Sequence, residues 1–504
     1  MSESLKSNTT LTELYLRGED KKKKKEDKAM KDLRKSFEDA GQGHVFKYFD
    51  SLDAESKATL LAQLEMVDLD ELDRLNKTLV FAQNAKAGID FAKLTPAPYT
   101  PCPADKANDP EWAKAKKVGE DAIGAGKLAA FVVAGGQGTR LGFNAPKGLY
   151  KVTPVRGKSL FQVFAEKILS ASKKYGVSIP WIVMTSHINN KATVEFFEQN
   201  NYFGLDKNDV IFFKQGLMPA VDLNGKIILE EKGKIAMTPD GHGGCLRGMV
   251  RNGVVAELKK RGIECVSYFQ VDNPLVDIID PYFVGFHLLG KSQMSSKMIA
   301  KAYPLEKVGH FCMLDGKLTV VEYSDLPAEY QQQTDANGKL KFIAGSVAIH
   351  ILDVDFVETL GSSQREEDRL PFHRANKKIP YIDANGETVK PEKPNGVKFE
   401  MFVFDALPMA KNPVIIEGLR ADEFSPVKNA EGLDSPQTCK NHQKAQWARW
   451  LKSAGEKIDT DADGIPQIDI EVSPLFASNE ADFVAAWNKL SPKPAIENGL
   501  YLGA

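Results

Sequence analysis

Residues 128–148 join an apolar run, Leu128-Ala-Ala-Phe-Val-Val-Ala134, directly to a glycine-rich loop, Gly135-Gly-Gln-Gly-Thr-Arg-Leu-Gly-Phe-Asn-Ala-Pro-Lys147-Gly148. A run that is apolar on both faces suits a parallel strand covered by helices on each side. Gly135, Gly136, Gly138 and Gly142 then let the backbone bend close to a ligand just beyond Ala134. A loop in that place can cradle phosphates through its N–H groups.

Charge around the loop agrees with that reading. From Ala122 to Ala165 there is no Asp or Glu, while Lys127, Arg140, Lys147, Lys151, Arg156 and Lys158 are all basic, in a chain with 66 basic and 68 acidic residues. So one-sided a stretch suggests an anionic ligand, the alternative being a solvated basic face. Arg140 and Lys147 favour the ligand because they belong to the loop itself: Arg offers a planar fork to phosphate oxygens, Lys a mobile point charge. Two common nucleotide loops do not fit. A dinucleotide fingerprint starting at Gly136 would need a sixth-place glycine where Leu141 stands, and a P-loop would need Ser or Thr after its Gly-Lys pair, whereas Lys147 lies between Pro146 and Gly148.

Gly-Gly-Gln-Gly-Thr-Arg-Leu-Gly with the following Pro-Lys-Gly resembles the signature of sugar nucleotidyltransferases, and within them the eukaryotic-type UDP-N-acetylhexosamine pyrophosphorylases of the UDP-sugar pyrophosphorylase family. The resemblance runs from about Gly43 to at least Ala430. It implies joining of UTP to N-acetylglucosamine 1-phosphate, with release of pyrophosphate; a glucose 1-phosphate or broad UDP-sugar enzyme is the alternative, and a nucleotide-sugar sensor the non-enzymatic one. It also implies an assignment of residues. Arg140, Lys147 and Lys428, the last in Ser425-Pro-Val-Lys428-Asn429, face the substrate phosphates. Ala134, Gly135, Gly136, Gly138, Thr139, Gln215, Gly241 and His242 hold the nucleotide, and Glu322, Gly309, Ile343, Gly345, Phe402 and Phe404 hold the sugar. In the hexosamine enzymes the segment at Ile343-Ala-Gly-Ser346 reads Asn-Ala-Gly-Asn, and an Asn often stands where this chain has His242.

Asp272 closes the apolar run Cys265–Val271 and falls where a strand of the same sheet ends. Nucleotidyl transfer calls for Mg²⁺ (or Mn²⁺) bridging phosphate oxygens, and Mg²⁺ is content with one or two carboxylates plus substrate and water, so Asp272 is the metal candidate. Gln215, whose amide both donates and accepts, can read a uracil edge.

Strand and helix patterns alternate after the loop: helix Ser159 to Lys173, strand Ile179–Thr185, helix Ala192–Gln199, strand Val210–Phe213, helix Cys245–Arg261, strand Cys265–Val271. This predicts a doubly wound α/β domain, mostly parallel, with ligands outside the carboxyl ends of its strands. Residues 1–108 read as a polar tail with the run Lys21–Lys25, expected to be solvated and frayed, then a small helical domain with helix starts at Ser51 and Asp53 and a proline-rich linker. In that domain His44 is read as a packing or capping residue. Residues 109–411 read as the catalytic domain and 412–504 as a small C-terminal domain, with Trp447, Trp450 and Leu451 in its core. Asp459-Thr-Asp-Ala-Asp-Gly464 lacks the twelfth-place Glu of a calcium loop and reads as an acidic turn.

A formal charge of −2 gives no global attraction to nucleic acid or to an anionic membrane. Five scattered cysteines without a Cys-x-x-Cys pair predict neither a disulfide framework nor zinc and suit a reducing, cytoplasmic setting. The expected partners are UTP and a sugar 1-phosphate, with the chain a monomer or homodimer.

Overall fold

The computed structural model describes residues 20–82, 89–363 and 365–503, with side chains from residue 28 onward. Contacts divide the chain into two units, one of Met1–Ile89, Gly216–Gly244 and Pro371–Phe402, the other of Asp90–Gln215, Cys245–Leu370 and Val403–Ala504.

The second unit is built on a ten-stranded sheet. Its strands are β1 (Thr95–Pro96), β2 (Leu128–Val133), β3 (Trp181–Thr185), β4 (Val210–Lys214), β5 (Cys265–Gln270), β6 (Met294–Ala300), β7 (Gly309–Leu314), β8 (Lys317–Val321), β9 (Ala344–Asp353) and β10 (Val414–Gly418). The order is β1-β7-β9-β5-β2-β3-β4, with β8 on β7 and β6 joining β9 to β10. Strands β5, β2, β3 and β4 are mutually parallel, with Phe131 level with Ile182 on one side and Tyr268 on the other. The other half is antiparallel apart from the β6–β10 pair. All six residues of β2 are buried, as the apolar run requires.

Parallel direction brings four carboxyl ends to one edge: Ala134 after β2, Ser186 after β3, Gln215 after β4 and Asp272 after β5. Local chemistry sets the connecting helices. Ser159 caps Leu160–Tyr175 by accepting from the Gln162 N–H, and left-handed Gly176 stops it. That helix buries Phe161 and Phe164, and Phe161 meets Trp181 and Phe197 edge-on; each such ring stabilises by about 1.5–3 kcal/mol through burial. The single helix expected over Cys245–Arg261 is two, Gly244–Arg251 and Val254–Lys260, because Gly253 takes φ 73 between them.

The expected divisions also shift. The proline-rich linker lends a short edge strand to the sheet, β1, and Thr100 donates its N–H to Ile415 O at 2.9 Å. Val414–Gly418, expected in the C-terminal domain, is β10 of the central sheet, parallel to β6. A C-terminal layer follows it within the same unit: Ser435 opens helix Pro436–Ser453 with a capping box, and Trp447, Trp450 and Leu451 share a core with Phe483 and Trp487. At the acidic turn Asp461 Oδ1 accepts the N–H groups of Asp463 and Ile465.

In the first unit, helices Asp20–Asp39, Ala54–Glu65 and Leu69–Leu75 bury Phe37, Leu60, Leu61, Leu64 and Leu72. The Lys21–Lys25 run lies on the backbone of the first of these helices, where a frayed segment was expected; Lys and Glu are good helix formers. Asp53, rather than Ser51, caps Ala54–Glu65. Side-chain amides tie these helices to the excursion 216–244. Gln42 donates to Gly225 O at 2.8 Å and accepts from Ile227 N at 2.9 Å, Gln63 exchanges the same pair of bonds with Ile235, and His44 Nε2 bonds Ile227 O at 2.7 Å. The helical segment is therefore one part of a unit assembled from three stretches of chain.

Candidate active site

In the second unit, the loop after β2 folds as a short hairpin. Gly138 donates to Ala145 O and Lys147 to Gly136 O, while the fully buried Asn189 amide holds the carbonyls of Ala134 and Gly136 at 2.9 and 3.3 Å. Thr139 and Arg140 stand exposed on a 3-10 turn that ends in left-handed Gly142. A Cβ on Gly138 would lie 2.8 Å from the Phe143 ring, so the missing side chain lets the hairpin close.

Lys147 reaches across the edge to Asp272, Nζ to Oδ2 3.6 Å, both side chains mostly buried. Burial holds the Lys147 ammonium below the usual lysine range; Arg140 and Lys428 push it the same way and Asp272 opposes them. Three cations and one carboxylate from three distant stretches of sequence thus share one electrostatic neighbourhood, which suits a polyanion more than it suits themselves.

The segment bearing Lys428 is fastened to the end of β5. Val427 N donates to Asp272 O at 2.8 Å, Asn273 Nδ2 to Glu423 O at 2.7 Å, and Ser425 N to Asn273 Oδ1 at 2.9 Å. Lys428 itself leans over the Phe424 ring, 3.7 Å from Asp434. Gln215, nearly buried, continues β4 through a bond from its N–H to Thr185 O at 2.7 Å, and a Cβ on Gly135 would lie 2.9 Å from its Oε1. The amide expected to read a base edge therefore lies directly beside the loop.

Farther along the same sheet the expected sugar residues gather on β7, β8 and β9. Gly309 is level with Ser346, and a Cβ on Gly309 would sit 3.3 Å from Glu322 Oε1 and 2.7 Å from Val320. Gly345 lies against the Ile299 carbonyl, and Ile343, half-buried, accepts the Lys301 N–H through its carbonyl. Phe404 is buried in the 3-10 stretch Val403–Met409.

The remaining expected residues belong to the first unit. Gly241 takes φ 83 and, with Gly243, packs on the backbone of Met401 and Phe402, with Gly243 N donating to Met401 O at 2.8 Å. A Cβ on either glycine would meet the backbone of Met401 or Phe402. Phe402 stacks on His373, centroids 4.7 Å apart, with His242 on it at 5.4 Å. Burial, and secondarily His373, push the His242 imidazole down to about 4, so it is neutral near pH 7.

Not every base of the acid-free stretch joins the neighbourhood of Lys147. Lys127 pairs with Glu264, Arg156 stacks on Tyr501, and Lys158 is buried against Glu166 at 2.6 Å. Asn189, Asn273, Glu423 and His373 escaped the sequence reading; the side-chain amides carry no periodic signal, although Asn273 stands next to Asp272.

A mixed sheet whose parallel strands bring a glycine-rich loop, opposed charges and a side-chain amide to one carboxyl edge has the fold of an α/β nucleotidyltransferase. The chain belongs to the UTP–glucose-1-phosphate uridylyltransferase family, whose model matches residues 75–441. It is 38% identical over 468 residues to the UDP-N-acetylhexosamine pyrophosphorylase-like protein 1 of Xenopus tropicalis, covering 88% of this chain and 91% of that one. It is 34% identical to the UDP-N-acetylglucosamine pyrophosphorylase of Saccharomyces cerevisiae, covering 84% and 92%. Its structure is similar to that of the uridine diphosphate N-acetylglucosamine pyrophosphorylase of Trypanosoma brucei, with TM-score 0.78, 27% identity and coverage of 94% and 97%. Among the described residues no helix is long and apolar enough to cross a membrane.

Proposed function

We propose that the chain is a uridylyltransferase that joins UTP and N-acetylglucosamine 1-phosphate into UDP-N-acetylglucosamine and pyrophosphate. The observation that carries this reading is the convergence of Arg140, Lys147, Lys428 and Asp272 at the glycine loop, with Gln215 against Gly135 of the same loop. A sugar phosphate is already anionic near neutral pH, so its oxygen attacks the α-phosphorus of UTP without a protein nucleophile or base. One P–O bond forms as the bond to the pyrophosphate leaving group breaks. What remains for the protein is to hold two polyanions in line and neutralise the charge that develops. Lys147 and Arg140 do this from the loop, and Lys428 from the segment fastened to Asp272.

Asp272, a carboxylate with part of its surface open, suits Mg²⁺, which takes one or two carboxylates and completes its shell with water and substrate oxygens. Held there, such an ion would supply positive charge to the substrate phosphates. Lys147 is a counter-charge of Asp272.

The family's description names glucose 1-phosphate, while the relatives' names carry the N-acetylhexosamine. The wall formed by Gly309, Glu322 and Ser346 supports the acetylated sugar, since Glu322 can accept from hydroxyls and Ser346 can bond the amide that Ile343 cannot. The test is pyrophosphate release from UTP with a panel of sugar 1-phosphates. Turnover with N-acetylglucosamine 1-phosphate is expected, and turnover with glucose 1-phosphate alone overturns the reading. The reducing, cytoplasmic setting belongs to the same proposal, supported by cysteines that are all free.

A further inference from the structure

Lys297 lies in the middle of β6, 1% exposed, with its ammonium 2.7 Å from Asp280 Oδ2 and 2.5 Å from Glu423 Oε1. A buried pair of this kind gains little over apolar side chains of the same volume, because desolvation offsets most of the attraction. Its presence asks for a reason other than stability.

Connectivity supplies one. Glu423 Oε2 accepts the Asp277 N–H at 3.2 Å, and Glu423 O accepts from Asn273, the neighbour of Asp272. From Glu423 the chain runs five residues to Lys428, fixed on the way by Ser425 to Asn273 and Val427 to Asp272. The other partner, Asp280, ends the loop that starts at Asp272. The turns between are wrapped on a second buried cation, Lys167, whose ammonium donates to the carbonyls of Pro274, Leu275 and Val276 at 2.7, 3.0 and 2.7 Å. Lys297 therefore grips the far end of the loop that carries Asp272 and the near end of the segment that carries Lys428.

We infer that Lys297 is a positioning residue for nucleotidyl transfer: through its paired bonds to Asp280 and Glu423 it sets the register between Asp272 and Lys428. This rests on the proposed function for the roles of those two residues. Lys297 touches no substrate, and its effect on turnover passes through Lys428.

The experiment is a double-mutant cycle in the full chain, with turnover per folded molecule measured at 10 °C and the folded fraction read by far-UV circular dichroism. The variants are Lys297→Met with Glu423→Gln, which removes one charge of each sign and leaves Asp280 on its N-cap bond from Tyr282 N, Lys428→Ala, and the triple combination. A control, Lys158→Met with Glu166→Gln, removes a buried pair of the same unit that has no bond to the Asp272 loop. The pair variant is expected to lose at least tenfold in kcat, and the triple variant to fall no more than threefold below Lys428→Ala alone, since the register has nothing left to position. The control should keep kcat within twofold of the parent. A pair variant within threefold of the parent, a loss that multiplies with that of Lys428→Ala, or an equal loss in the control overturns the inference. A parent without turnover refutes the proposed function instead, and the same cycle, read in UTP affinity by calorimetry, then decides the register by the same non-additivity.

Discussion

Lys147 Nζ lies 3.6 Å from Asp272 Oδ2, although 125 residues of chain separate the glycine loop from the end of β5. The two form an ion pair whose side chains are both mostly buried, so the pair is screened less than one on the surface.

Asp272→Asn keeps the backbone carbonyl that accepts from Val427 and removes only the charge. Turnover is expected to fall by at least a hundredfold. Thermal stability without ligand should change by less than about 1 kcal/mol, the usual worth of a partly exposed pair. EDTA should abolish activity of the parent. Near-normal turnover of the variant would remove Asp272 from the site.

Arg140→Ala and Lys147→Ala should each cost turnover by roughly 2–4 kcal/mol, as the loss of an electrostatic stabiliser does. Because both cations act on one neighbourhood, the double variant should lose less than the sum. Steady-state kinetics with saturating UTP and sugar phosphate measures this, and strict additivity would show that the two act at separate places.

Asp277 provides a pH test in which stability, not activity, is read. Burial first, then Asp280 and Glu423, raise its carboxyl to about 7, against the help of Lys297 and Lys167. The folded state therefore binds more protons than the unfolded between about pH 4 and 7, and stability falls as pH rises through that window. Asp277→Asn should raise the melting temperature at pH 8, with the gain shrinking to nothing near pH 4. A gain that is the same at both pH values contradicts the assignment.

Ile343→Asn should move kcat/KM toward N-acetylglucosamine 1-phosphate over glucose 1-phosphate by roughly ten- to a hundredfold if one polar contact is restored. The backbone is already in place, since the Ile343 carbonyl holds Lys301 whatever the side chain. An unmoved ratio would place Ile343 away from the acetamide.

Gly138→Val should weaken UTP binding by forcing Phe143 and the hairpin apart. Calorimetry reads the affinity, and an unaltered value would mean that the hairpin's closure is irrelevant to the nucleotide.

By itself the sequence determined what is local or periodic. The both-faced apolar run of β2, the glycines after it, the alternation of strands and helices and the N-caps at Ser159 and Asp53 are consequences of a few neighbouring residues, and they point to a parallel sheet with a phosphate loop at its edge. Spacing also carried Asp272, because an acid that ends a buried strand needs no distant partner to be noticed. Only tertiary structure decided which groups meet. Lys428 shares the neighbourhood of Lys147 because Asn273 and Asp272 bind residues 423–427, and Lys158, equally basic in sequence, is spent on Glu166. Lys297 reads as an ordinary lysine in a strand until β10 and the Asp272 loop close over it. The same holds for the two glycines at 241 and 243, which lie against the backbone of Met401 and Phe402. Apart from Lys158 and Glu166, which are eight residues apart, the deciding contact spans more than a hundred residues or joins separate stretches of chain, and no local pattern of charge or hydrophobicity encodes it.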